Sequence, residues 1–183
     1  MNQALQTSSA QRLPRAAATP GGTLSDAMRA PPDAAPPLRF ALIRGQWHAP
    51  IVQRACDSFL AEIAQDSNTP HHVDVFDVPG AFEIPLHALQ LARSGRYAAV
   101  VACALVVDGG IYRHEFVAEA VIAGLMRVQL DTGVPVISAV LTPKNFHEHD
   151  EHRGFFGEHF VVKGREAALA CLKTVQSLAK LAA

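Results

Sequence analysis

Apolar residues in this chain fall into short continuous runs separated by stretches of helical spacing. Residues 98–107 (AAVVACALVV) are the plainest run, apolar throughout, as in a parallel strand buried on both faces. Asp108-Gly109-Gly110 ends it. Residues 39–44 (RFALIR), 73–78 (VDVFDV) and 135–141 (PVISAVL) read as three further strands. Between them the period changes to that of a helix. Over residues 48–65 the apolar positions are Val52, Cys56, Phe59 or Leu60, and Ile63. Ser67, Asn68 and Pro70 mark a turn, and Pro79-Gly80 turns the chain into a helix over 81–94. Residues 113–132 place Val117, Val121, Leu125 and Val128 on one stripe. After a polar, His-rich connection over 142–159, a last helix over 164–181 shows Ala168, Cys171, Val175 and Leu178. Strand and helix alternating four times predict one parallel sheet with helices on both faces, joined by right-handed crossovers. No internal repeat is present.

Composition separates the first 37 residues from the rest. They hold half of the 12 prolines and few large apolar side chains, so they are expected to form a disordered extension to a domain over 38–183. Hydrophobic residues make up 49% of the chain, enough for a sizeable core. A net charge of -1 offers no field for nucleic acid or a membrane surface. No apolar run approaches the ~20 residues that span a bilayer, and no secretory leader is expected. The 3 cysteines, Cys56, Cys103 and Cys171, show neither CxxC nor zinc spacing. They read as buried core residues in a reducing compartment, which places the protein in the cytoplasm.

In an open parallel sheet, ligands bind beyond the carboxyl ends of the strands. Four loops meet there: 45–48, 79–83, 108–114 and 142–146. They offer an aromatic plate (Trp47), a carboxylate (Glu83), a Gly pair opening a helix, and His and Arg side chains. The set suits a flat heterocycle plus an anion. Each member has a plainer reading. Trp47 is core or a stacking surface. Glu83 favours a helix dipole or accepts from hydroxyls. Gly109-Gly110 is a simple turn or a phosphate cradle. His114 is a capping residue or a proton carrier. Arg113, always protonated, is no base but can hold phosphate. The run 147–152 (HEHDEH) invites a metal, yet it is not HExxH, and a solvated polar segment is the better reading. No GxGxxG or Walker pattern is present, which disfavours standard nucleotide sites.

Residues 78–85 (VPGAFEIP) closely resemble the signature of the 6,7-dimethyl-8-ribityllumazine synthases. The resemblance runs on through the apolar strand, residues 109–116 (GGIYRHEF), the fourth strand and Lys163-Gly164, covering nearly everything from Arg39 onward. It is to the second, decameric type. It implies an α/β three-layer sandwich with a four-stranded parallel, flavodoxin-like sheet. It further implies a transferase of riboflavin biosynthesis that condenses 5-amino-6-ribitylaminouracil with 3,4-dihydroxy-2-butanone 4-phosphate and releases water and phosphate. No cofactor and no metal are implied. The partners implied are those two small molecules and further copies of the chain, as a pentamer or a dimer of pentamers. By the same resemblance, Trp47 stacks on the pyrimidine with His48 after it. Ala81, Phe82 and Glu83 line the ribityl chain. Leu105, Val106 and Val107 offer backbone groups to the uracil edge, and Gly110 and Ile111 offer amides to the phosphate. Ser138 and His152 come from the adjacent chain, and Arg153 and Lys163 complete the binding set.

Three positions depart from the family pattern. The acid/base histidine falls on Arg113, with His114 one place later, a rotation of about 100° on a helix. The phosphate-clamping arginine falls on His152, beside Arg153. An aromatic that packs on the ring from the neighbouring subunit is Ser138. Weaker binding or slower turnover than in typical members is therefore expected, and a low-activity oligomer that holds a lumazine or flavin is the alternative function.

Overall fold

The computed structural model describes residues 37–67, 70–110, 113–143, 146 and 150–182, with 150 and 151 by backbone alone. The expectation of a disordered extension lies outside the described residues, as do Asn68 and Ile111. In chain order the elements are β1 (Leu38–Gly45), α1 (Ala49–Gln65), β2 (His71–Val78), a 3-10 turn (Ala81–Glu83), α2 (Ile84–Arg93), β3 (Ala99–Leu105), α3 (His114–Thr132), β4 (Val136–Leu141) and α4 (Asp150–Ala182).

All four strands pair in parallel, in the order β2-β1-β3-β4. Both central strands are apolar on both faces because each face is covered. Phe40, Leu42, Val101 and Cys103 pack beneath α1 and α4, where they meet Val52, Phe59, Phe160 and Cys171. Ala41, Ile43, Val100 and Ala102 face α2 and α3, where they meet Ile84, Ala88, Val121 and Leu125. This is the expected three-layer α/β sandwich. Phe59, rather than Leu60, is the fully buried residue of α1. Pro50 and Pro85 stand in the first turns of α1 and α2, where a missing N–H costs nothing. Among the described residues no helix is long and apolar enough to cross a membrane.

The expected connection over 142–159 is overturned in its second part. α4 begins at Asp150, not at Gly164, and runs for 33 residues, about 50 Å. Two of its glycines, Gly157 and Gly164, serve close contact. A Cβ on Gly164 would overlap the carbonyl oxygen of Ala55, so α4 meets α1 backbone to backbone. A Cβ on Gly157 would overlap the Arg54 guanidinium. Phe160 is fully buried between them, and Ser58 Oγ donates to Val161 O at 2.6 Å across the same seam.

At the opposite edge from the strand carboxyl ends, Asp74 ties three elements together. Its Oδ2 accepts from Arg39 Nη2 at 2.5 Å and from Tyr97 Oη at 2.9 Å, and its Oδ1 lies 2.9 Å from His72 Nε2. The Arg39 bond first, then the Tyr97 bond, hold its carboxyl down to about 2.

Two tests follow from this packing. Gly164→Ala should lose about 1–3 kcal/mol through overpacking, despite its better helix propensity. Gly154→Ala in the same helix, where an added Cβ meets nothing within 4 Å, should gain about 0.5–1 kcal/mol. Urea midpoints at fixed protein concentration read both. For Asp74, the folded carboxyl titrates below its unfolded value of roughly 3.9. Its stabilisation is thus complete above that value and fades as pH falls toward about 2. The stability difference between parent and Asp74→Asn should shrink as pH falls below about pH 4.

Candidate active site

Hydrogen bonds that continue past the strand ends set the floor of the site. Gln46 N donates to Val78 O at 2.9 Å and Trp47 N to Pro79 O at 3.3 Å, zipping the loop after β1 to the loop after β2. The zip lays the Trp47 ring on Gly80, where a Cβ would stand 2.9 Å from Trp47 Cε3. Glycine is required there by contact, since its backbone is extended (φ -148°). Trp47 remains 64% exposed, so its outer face is open.

His48 follows in a left-handed conformation (φ 56°, ψ 36°), the only non-glycine with positive φ among the described residues. Such backbone costs about 1–3 kcal/mol and persists only where its surroundings hold it. Here its carbonyl accepts from Ile51 N and Val52 N at the start of α1, and its ring meets Phe146 edge-on with centroids 5.6 Å apart.

Past β3, Val106 N donates to Leu141 O at 2.9 Å, extending the pairing with β4. The chain then turns at Gly110 (φ 73°), whose N–H donates to Asp108 Oδ1 at 2.8 Å. Arg113 is the extended N-cap of α3, its guanidinium 5.8 Å from the centre of the Phe116 ring. His114 is the first helical residue. Its Nδ1 lies 3.5 Å from Glu115 Oε2 and 3.8 Å from Asp108 Oδ1.

These loops enclose a cavity of about 240 Å³. Trp47 and His48 line it from the β1 side, Ala81 from the β2 side, and Leu105, Val106 and Val107 from the end of β3. Gly109, Arg113, His114 and Val117 close it at the turn into α3. Both Arg113 and His114 therefore reach the same space, despite being one residue apart. The arrangement joins an aromatic plate, the apolar residues at the end of β3 and the Arg113–His114 corner.

Other expected residues stand outside this cavity. Phe82 is exposed, and the Glu83 carboxylate accepts from the Gly80 N–H at 2.9 Å, buttressing the turn beneath Trp47. Gly110 is exposed beside the cavity. Ser138 is exposed on β4, opposite Ala102. His152, Arg153 and Lys163 lie on α4, His152 with its ring 6.2 Å from that of Phe156 and Lys163 with Nζ 2.7 Å from Glu166 Oε2. His147, Glu148 and His149 of the HEHDEH run, and Ile111, fall outside the described residues, and Asp150 and Glu151 are described by backbone alone. All three cysteines are buried and none lines the cavity; the hydrogen bond with Cys103 first of all lowers the Cys56 thiol. A hydrogen bond with Cys56 and then burial raise the Cys103 thiol, and burial pushes Cys171 up to about 12. Residues to which sequence reasoning gave no site role are Val117 in the lining, Gly80 under Trp47, and Phe146 against His48. Gly80 was visible inside VPGAFEIP; Phe146 carried no signal.

The family model of 6,7-dimethyl-8-ribityllumazine synthase matches residues 37–179. The chain belongs to that family. A relative from Rhodococcus erythropolis named 6,7-dimethyl-8-ribityllumazine synthase is 62% identical over 143 residues, covering 78% of this chain and 92% of the relative. Two relatives named 6,7-dimethyl-8-ribityllumazine synthase 2 are similar as well. The one from Pseudomonas syringae pv. tomato is 54% identical over 146 residues, covering 80% of this chain and 86% of its own. The one from Bradyrhizobium diazoefficiens is 55% identical over 150 residues, covering 82% and 90%. Family membership accounts for VPGAFEIP as the segment that supplies Gly80 and Ala81 to the site.

Gly80→Ala should push the Trp47 ring off its seat with little loss of stability, because the ring is free to swing outward. Trp47 is the only tryptophan, so its emission reports the move directly. The expected result is a shifted emission maximum and weaker ligand quenching. An unchanged spectrum would mean that the ring does not rest on Gly80.

Proposed function

We propose that the protein forms 6,7-dimethyl-8-ribityllumazine from 5-amino-6-ribitylaminouracil and 3,4-dihydroxy-2-butanone 4-phosphate, in the cavity at the ends of β1 and β3. The observation that carries this reading is the convergence of Trp47, the end of β3 and the Arg113–His114 corner on one space, in a chain of the lumazine synthase family. The open face of Trp47 stacks on the pyrimidine. Backbone groups of Leu105, Val106 and Val107 meet the uracil edge, and the turn at Gly110 and Ile111 takes the phosphate.

The amine attacks the ketone carbon, and the C–N bond forms as water leaves. A proton is then lost from the neighbouring carbon as the C–O bond to phosphate breaks; the enol formed becomes a ketone, and the ribitylamino nitrogen attacks it, closing the ring as a second water leaves. Holding amine and ketone in one orientation supplies much of the rate. In this assignment Arg113 stabilises the departing phosphate by charge, and His114 moves protons.

The protein works as a cytoplasmic homo-oligomer, with a pentamer as its unit. Exposed Phe82, Leu86, Ile122, Met126 and Leu130 give the α2–α3 side an apolar surface that a second copy would cover. In that assembly Phe82, Glu83, Ser138, His152, Arg153 and Lys163 complete sites between chains. A binding role with little turnover is favoured by one feature, the small exposed Ser138 where the family pattern has an aromatic.

Product absorbance with both substrates should show turnover, lost by about 10²-fold or more in His114→Ala, the scale of general acid–base catalysis. Arg113→Ala should raise the KM for the phosphorylated substrate as well as lower kcat. Parent-level rates in both variants would remove both residues from the chemistry. No turnover in the parent, with tight lumazine or flavin binding, would establish the binding role instead.

A further inference from the structure

The turn between β3 and α3 already holds an anion of the protein's own. Asp108 Oδ1 accepts the Gly110 N–H at 2.8 Å, and the same oxygen lies 3.8 Å from His114 Nδ1. The bond closes a turn at a glycine with φ 73°, between Gly109 and Arg113, which line the cavity. The Asp108 side chain is 52% exposed, so it is free to swing into water.

We infer that Asp108 is a positioning residue with two opposed effects on the phosphate ester. Its carboxylate keeps the turn formed while the site is empty, and it competes with phosphate for the Gly110 amide. This rests on the proposed placement of phosphate at Gly110.

A backbone N–H carries one hydrogen and makes one good bond. An arriving phosphate must therefore displace Asp108 Oδ1, after which carboxylate and dianion stand within one turn of each other. At separations of ~6 Å in water and ~0.1 M salt, that repulsion is equivalent to about a three- to tenfold loss of affinity. The same repulsion acts on the phosphate product, and the carboxylate retakes the amide as it leaves. Asp108 thus trades affinity for exchange. Glu115, 3.5 Å from His114 Nδ1, adds negative charge to the same corner.

Asparagine and alanine separate the two effects. Asp108→Asn keeps the acceptor oxygen and removes the charge; Asp108→Ala removes both. Binding of inorganic phosphate is measured by calorimetry, and the KM of the phosphorylated substrate by turnover, at ~0.05 and ~0.5 M salt. Asp108→Asn should bind phosphate about three- to tenfold tighter than the parent at low salt, with the gain shrinking at high salt. Its KM should fall in parallel while kcat does not rise. Asp108→Ala should bind at least about threefold more weakly than Asp108→Asn, since the turn is no longer held. Equal or weaker binding in Asp108→Asn, or identical behaviour of the two variants, would overturn the inference while leaving the phosphate site standing. A parent that neither binds phosphate nor turns over would overturn both.

Discussion

A strand buried on both faces has no side chain to spare for water, so polar chemistry has to gather at its ends. β3 is that strand: every residue from Ala99 to Leu105 is buried, and β1 and β4 take its two edges. Its burial forces helices onto both faces, and its parallel neighbours bring all the strand carboxyl ends to one rim. The order β2-β1-β3-β4 reverses direction between β1 and β3. Chain leaving β1 goes to one face and chain leaving β3 to the other, which opens a crevice at that point. The cavity lies in that crevice.

What closes the cavity is local and strained, in contrast to the relaxed core behind it. Trp47 is held open to solvent by a glycine beneath it, and His48 sits in a left-handed backbone state held by α1 and Phe146. A side chain at Gly80 would collide with the Trp47 ring and lose the plate. α4 adds its own constraint from behind, because its close approach to Ala55 at Gly164 fixes α1, whose first turn carries His48.

Where periodicity was strong, the fold was legible. The unbroken run at 98–107 announced a doubly buried strand, and the stripes of α1 and α3 named their buried residues. The N-terminal part of α4 was not legible, because His, Asp and two glycines, Gly154 and Gly157, read as a loop. Yet Phe156, Phe160, Gly164, Ala168 and Cys171 recur at helical spacing, and Gly164 belongs to that stripe as a contact residue. At the site, Trp47, Ala81 and the end of β3 were legible from topology and from VPGAFEIP. One neighbour of His114 was not: Asp108 approaches it only once the turn at Gly110 has folded. Ser138, His152 and Lys163 lie away from the cavity of their own chain, and a single sequence holds no periodicity for contacts made between copies.

The most direct test of a single substrate site at the β1–β3 crevice is a crystal structure of the oligomer with the lumazine product and inorganic phosphate. The pyrimidine ring should stack on Trp47 with its edge against the backbone of Leu105–Val107, and phosphate should lie at the Gly109–Gly110 turn beside Arg113 and His114. A ring bound elsewhere, with the Trp47 face and the Gly110 amide unoccupied, would contradict it.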